Sequence, residues 1–220
     1  MASASVESAR RPPGRQLLAA VAASGSAAHP YPASEPLLKG PDAARNLADV
    51  IHFLCTLHGR YPGVIDHAAA RVVAPDARAW LAQASYAFAG ERAYLARLAV
   101  AAGPVPSTPG GGDSDAAVLG QRHAIEMLAQ SERSGCAVGA AMAVILDWTA
   151  IRRPLDVAAR RFGVEAPGFA AAGDIGALAD SFASAAPIQR ALLFGAEQIL
   201  VQHMGLWDLL EARQLARAAF

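Results

Sequence analysis

The chain has 220 residues, 54% of them hydrophobic, and its acidic and basic side chains balance to a formal net charge of zero. That much apolar material in one chain of this length supplies a single continuous core. The balanced charge, without a basic stripe, excludes the electrostatic footprint of a nucleic-acid binder. The longest apolar run, Ala137 to Leu146, is about half the roughly 20 residues that a membrane span requires.

Arg10, Arg11 and Arg15 precede a short alanine-rich run, Leu17 to Ala23. The run is at the short limit for the apolar part of a signal peptide. Residues 1–35 are therefore expected to form a mobile leader on a cytoplasmic protein, export being the minor reading, and residues 36–220 the folded domain. Helical periodicity dominates that domain and strand alternation is absent, so the predicted fold is all-α: one bundle of about four long helices with short crossover helices. Pro41 and Asp42 open a first long helix that reaches His58, and Gly59 to Gly63 close it. A short helix follows from Asp66, and Pro75 and Asp76 start a second long helix ending near Ala102. Gly103 to Asp113, with three prolines and four glycines, reads as a connection or a lid. Ser114 or Asp115 is expected to cap a third long element that continues through a kink at Gly135 to about Ile151, and Pro154 to begin another turn. Asp174 starts a further short helix, and Pro187 opens a last helix that reaches almost to Phe220. Lys39 is the one lysine among 19 basic residues, a bias that points to a GC-rich bacterial genome. Cys55 and Cys136 both fall in apolar helical patterns, where a free thiol behaves as a small hydrophobe.

Candidate site residues are the polar side chains that interrupt apolar stripes. Glu91 lies on the face of Trp80, Leu81, Ala84, Phe88, Tyr94, Leu95 and Leu98 with no basic residue three or four positions away. A buried carboxylate needs a cation, a metal or hydrogen bonds to replace its water. His58 shares the face of Leu47, Ile51 and Leu54, and His203 sits among Ile199, Leu200, Leu206 and Trp207. If their helices are neighbours, His58, Glu91 and His203 form two imidazoles and a carboxylate, a ligand set suited to iron or another divalent metal. His123, beside Leu119 and Met127, is a reserve ligand, although Glu126 three residues on shares an exposed charged face with Arg122, Gln130 and Arg133. The plainer reading is that each histidine bonds a core partner and that an arginine from another helix answers Glu91. His52, Cys55 and His58 do not form a three-ligand set, because the two histidines lie about 120° apart around a helix. Gly135, Gly139 and Ala143 offer close approach to a neighbouring helix, and Asp147, Trp148, Arg152 and Arg153 read as a structural joint in which Trp148 and Arg152 can stack.

A bundle of this size with inward glutamate and histidine resembles the ferritin-like carboxylate proteins, and its all-helical length is also similar to the haem-oxygenase and thiaminase type. The first likeness implies Glu-x-x-His on two helices, which is absent; His123 and Glu126 run in the reverse order. The second implies His58 or His52 as an axial haem ligand. Two functional readings follow: a non-catalytic helical protein acting through association, a homodimer being one form, with the apolar last helix, Ile188 to Leu210, buried in the fold or against a partner, or a metal- or haem-dependent oxidoreductase with its site inside the bundle.

Overall fold

Proline and acidic caps set most of the helix starts. The computed structural model describes residues 11–169 and 173–219, and among these the fold is all-helical, with no strand. The helices are α1 (Pro13–Ser24), α2 (Glu35–Leu38), α3 (Ala43–His58), α4 (Val64–Arg71), α5 (Pro75–Ala102), α6 (Gly111–Ala129), α7 (Cys136–Phe162), α8 (Ile175–Phe182) and α9 (Ala186–Ala218). Two single 3₁₀ turns, Ser26–Ala28 and Tyr31–Ala33, join α1 to α2. Pro13, Pro75 and Pro187 sit in first turns, where a missing N–H costs nothing. The Asp174 side chain accepts the Ala177 N–H at the start of α8. No helix among the described residues is long and apolar enough to cross a membrane.

α3 and α5 have the bounds their sequence predicts. The expected third element is instead two helices, α6 and α7, separated at residues 130–135, where Gly135 takes a left-handed φ of 103°. That φ is open to glycine and strained for other residues, so the chain turns there rather than bending within a helix. Pro154 does not start a helix but lies inside α7, which continues to Phe162 and stops at Gly163 with φ 70°. Ile151, Pro154, Leu155 and Ala158 are all buried. Their packing outweighs the roughly 3 kcal/mol that an internal proline costs.

Part of the stretch assigned to the leader is packed into the domain. Leu17 and Ser26 are fully buried and Tyr31 nearly so. The Gly14 N–H donates to Asp180 of α8 at 2.7 Å, and His29 Nε2 hydrogen-bonds Asp208 of α9 at 3.1 Å. Gly14 lies against the Gly176 carbonyl, so α1 and α8 meet backbone to backbone. Alanine and glycine in α1, which gave it the look of a weak apolar segment, are what permit that approach. Residues 1–10 of the expected leader lie outside the described residues.

α7 is the axis of the fold. Its first turns are apolar on every side, and it touches α1, α3, α4, α5, α6 and α9. Its pairing with α9 depends on two glycines. A Cβ on Gly139 would land on the Leu192 carbonyl, and one on Gly195 on the Cys136 carbonyl. The apolar residues of α9, including Leu192, Ile199, Leu200, Leu206 and Trp207, are buried within the chain itself. Gly139→Ala is therefore expected to force the two backbones apart and to lower stability by about 3 kcal/mol, read as a shift in the urea midpoint at unchanged slope.

Candidate functional site

His58 is the last residue of α3, and His203 lies in the middle of α9. Where these helices pass α7, the two imidazoles meet edge to face with Nε2 to Nε2 at 2.9 Å. On its other side, His203 Nδ1 is 2.7 Å from Asp147 Oδ2 of α7. Asp147 also accepts the backbone N–H of Ser26 on Oδ1 at 2.7 Å and the Ser26 hydroxyl on Oδ2 at 2.5 Å. Gly25 makes that approach possible, since a Cβ there would press on Asp147 Oδ1. The result is one continuous chain, Ser26 to Asp147 to His203 to His58. Ser26 and His203 are completely buried, Asp147 is 2% exposed and His58 6%.

Burial alone would raise the Asp147 carboxyl. The hydrogen bond from His203, attraction to that ring, and the two bonds from Ser26 outweigh it and hold Asp147 below the usual carboxylate range. An ionised Asp147 only accepts, so His203 carries its proton on Nδ1 and presents the Nε2 lone pair to His58. His58 then donates Nε2–H, and its lone pair falls on Nδ1, which makes no hydrogen bond among the described residues. Burial first, then the neighbouring His203 and Arg92, hold the His58 imidazole well below the usual histidine range and keep it neutral.

A second network lies beside the first. Glu91 of α5 takes the Arg152 guanidinium on Oε1 at 2.6 Å and the Trp148 indole N–H on Oε2 at 2.7 Å. Arg152 also reaches Asp156 and the Pro167 carbonyl and lies over the Tyr94 ring. Trp148 connects the two networks, because its ring packs at 5.5 Å, edge to face, on His58 while its N–H is held by Glu91. The expected trio of His58, Glu91 and His203 is thus divided. The histidines meet, whereas both oxygens of Glu91 are taken by Arg152 and Trp148. His123 stands apart with an exposed side chain, 4.0 Å from Glu126. Among the described residues, no group of three His, Cys, Asp and Glu side chains has the geometry to hold a metal ion. His52 bonds the Gly103 carbonyl at 2.8 Å and ties α3 to the end of α5. Both cysteines are free, and burial pushes the Cys55 thiol up to about 11, so it is no nucleophile at neutral pH.

His58 forms part of the wall of a small pocket of about 40 Å³, together with Leu57, Phe88, Arg92, Arg122 and Ile125. That is room for about three waters. Arg60, His67 and Glu126 also line it. A larger groove of about 320 Å³ at the amino end of α7, walled by Val72, Val138, Phe182 and Ile188, contains no histidine among its lining residues.

Sequence reasoning missed Asp147 and Ser26. Asp147 carries the same signal as Glu91, a carboxylate on a face shared with Ala140, Val144 and Ile151. Ending the helix near Ile151 made it a terminal joint. Ser26 carries no signal at that stage, because it belongs to a stretch expected to be mobile.

A family model described as a family of unknown function, DUF6975, matches residues 21–218. No curated protein and no solved structure matches the chain, so neither the ferritin-like nor the haem-oxygenase likeness gains a structural counterpart.

Two outcomes test this geometry. Unfolded His58 protonates near the ordinary value of 6.5 while the folded residue resists it. Its contribution to stability is full above that pH and is lost as pH falls below it. Thermal melts should decline from pH 7 to pH 5, and His58→Gln should flatten that part of the profile. Asp147, held below 3.8, adds a further loss only as pH falls through that range. In urea, Glu91→Gln should cost about 3 kcal/mol, since it leaves Arg152 buried without its closest charge.

Proposed function

The chain belongs to this family of unknown function, and we propose from its geometry that it is a proton-transfer enzyme in which His58 is the general base and acid. The observation that carries this reading is the unbroken chain from Asp147 through His203 to a histidine on a pocket wall. A lone buried histidine is a poor base, because its cation would lie in a dry site. Here a proton taken on His58 Nδ1 is matched by release of the Nε2 proton to His203. The positive charge then rests between His203 and Asp147, and His58 stays neutral throughout. The reverse sequence delivers a proton back to the pocket. Asp147 sets the tautomer and stabilises the imidazolium, the role an orienting carboxylate has behind a catalytic histidine. Ser26 supplies the donors that keep Asp147 ionised.

Trp148 and Phe88 support the reading by packing edge-on around His58, which limits rotation of the ring. Precise placement of a base within hydrogen-bond reach of its proton is the first requirement of such catalysis.

Acylation by diethyl pyrocarbonate tests the proposal without a known substrate. His58 should react despite its burial, and Asp147→Asn should slow that reaction by about 10²-fold while thermal melts show a folded protein. Peptide mapping in which exposed His123 reacts and His58 does not would reject the proposal, as would a His58 rate unchanged by Asp147→Asn. Long-range proton–nitrogen spectra give an independent reading. Protons on His203 Nδ1 and His58 Nε2 are expected, whereas a metal bridging the two rings would leave both Nε2 atoms bare.

A further inference from the structure

Charge at the pocket mouth carries the reading one step further, to the kind of molecule that His58 would serve; this step rests on the proton-transfer reading. Three arginines line the pocket. Arg92 is matched, with Nη1 and Nη2 on the two oxygens of Asp66 at 3.0 and 3.1 Å and its guanidinium over the rings of Tyr61 and Phe88. Arg60 and Arg122 are not matched in this way. Both approach a single carboxylate, Glu126, at 3.6 and 3.4 Å, which is longer than a good charge-assisted hydrogen bond. One carboxylate between two guanidinium groups leaves one positive charge in excess. The Nε of Arg122, the atom that lies 3.4 Å from Glu126, is buried and makes no well-aligned hydrogen bond there. A buried charged donor whose nearby carboxylate oxygen is long and shared with Arg60 is poorly satisfied, a deficit that an incoming anion makes good.

We infer that the pocket takes a small carboxylate, anchored by Arg122 with Arg60, whose transferable proton is borne by an atom one or two bonds from the anionic group. The volume of about 40 Å³ confines the buried part to a few heavy atoms, with the carboxylate toward the arginines at the mouth. A 2-oxo acid fits this description, because its carbonyl acidifies the neighbouring C–H. In the step itself the C–H bond breaks, the proton passes to His58 Nδ1 and the electron pair enters the carbonyl as an enolate. His58 Nε2–H moves to His203, and reversal returns a solvent-derived proton to carbon. No oxidant, reductant or co-reactant is required.

Binding and exchange are measured separately on the full chain. Pyruvate, acetate, inorganic phosphate and acetone are titrated against the protein, and deuterium uptake into pyruvate and acetone is followed by proton NMR in D₂O. Expected are saturable pyruvate and acetate binding weakened about tenfold or more by Arg122→Gln, the loss of one charge-assisted contact, and pyruvate exchange above the buffer rate that His58→Gln abolishes. Arg60→Gln, at a largely exposed side chain, gives a second variant with little risk to folding and should also weaken binding. The inference is overturned if neither carboxylate saturates, if both arginine variants bind as the wild type does, or if phosphate binds more tightly than acetate. Pyruvate that binds through Arg122 without exchanging upholds the anion site and removes the proton-transfer reading. Acetone that exchanges as fast as pyruvate upholds the relay and overturns the anion site.

Discussion

A carboxylate with no arginine or lysine bonded to it stands at the centre of this fold. Asp147 is 2% exposed, and everything that balances its charge comes from two neighbours, His203 and Ser26. An ionised group in such a place costs several kcal/mol unless its lone pairs are answered. Three hydrogen bonds answer them, and each draws a different part of the chain inward. Ser26 brings the turn after α1, His203 fixes the register of α9 on α7, and through His203 the end of α3 is held as well. The glycines serve the same constraint, Gly25 by leaving room beside Asp147 and Gly139 and Gly195 by letting α7 and α9 approach until His203 can reach.

Glu91 shows the contrasting solution to the same problem. Its partner is a full cation, Arg152, supplemented by the Trp148 N–H, so that network is an ion pair with its ends closed by Asp156, Tyr94 and a backbone carbonyl. Nothing in it is left to bind a ligand. The Asp147 network has an open end, because the neutral His58 ring has two nitrogens and only one is spent on His203. One indole joins the two networks, its N–H on Glu91 and its ring packed edge to face with His58. A closed pair supports the ring that packs on His58.

Much of the architecture was legible because the signals were periodic and long. α3 and α5 follow from apolar stripes with proline or acidic starts and glycine ends, and the inward faces of His58, Glu91 and His203 follow from the same spacing. What was not legible depended on contacts between segments far apart in the chain. Pro154 reads as a helix start because proline opposes an interior position, and only burial on α7 reverses that preference. Residues 13–33 read as leader because short alanine-rich stretches have little amphipathic contrast, yet small residues are what α1 needs to meet α8. Those two local misreadings together concealed the site. The first placed Asp147 at a helix end, where a carboxylate is ordinary, and the second removed Ser26, the group that answers it. Glu91 reads from its stripe as a buried acid needing a partner, but that partner, Arg152, lies in the part of α7 beyond Ile151, where the local pattern ends the helix.

The burial of His58 is consistent with a relay rather than opposed to it. An exposed histidine titrates freely and loses the advantage of a dry site, in which each hydrogen bond is electrostatically stronger. A buried one alone is held neutral and accepts protons poorly. Coupling it to a second histidine that shares a proton with an ionised aspartate separates the place where a proton is exchanged from the place where charge is stored. The first lies at a pocket wall on the end of α3, and the second in the interior between α7 and α9. A purely structural polar cluster would gain nothing from ending at a pocket with a nitrogen unspent, since closing that nitrogen with a backbone carbonyl, as His52 does with Gly103, stabilises the fold more directly. The open end, the charge sink behind it and the surplus of guanidinium at the mouth are three separate features of the sequence. They meet because α3, α7 and α9 are drawn together by the same buried aspartate and α6 packs against α3 and α9.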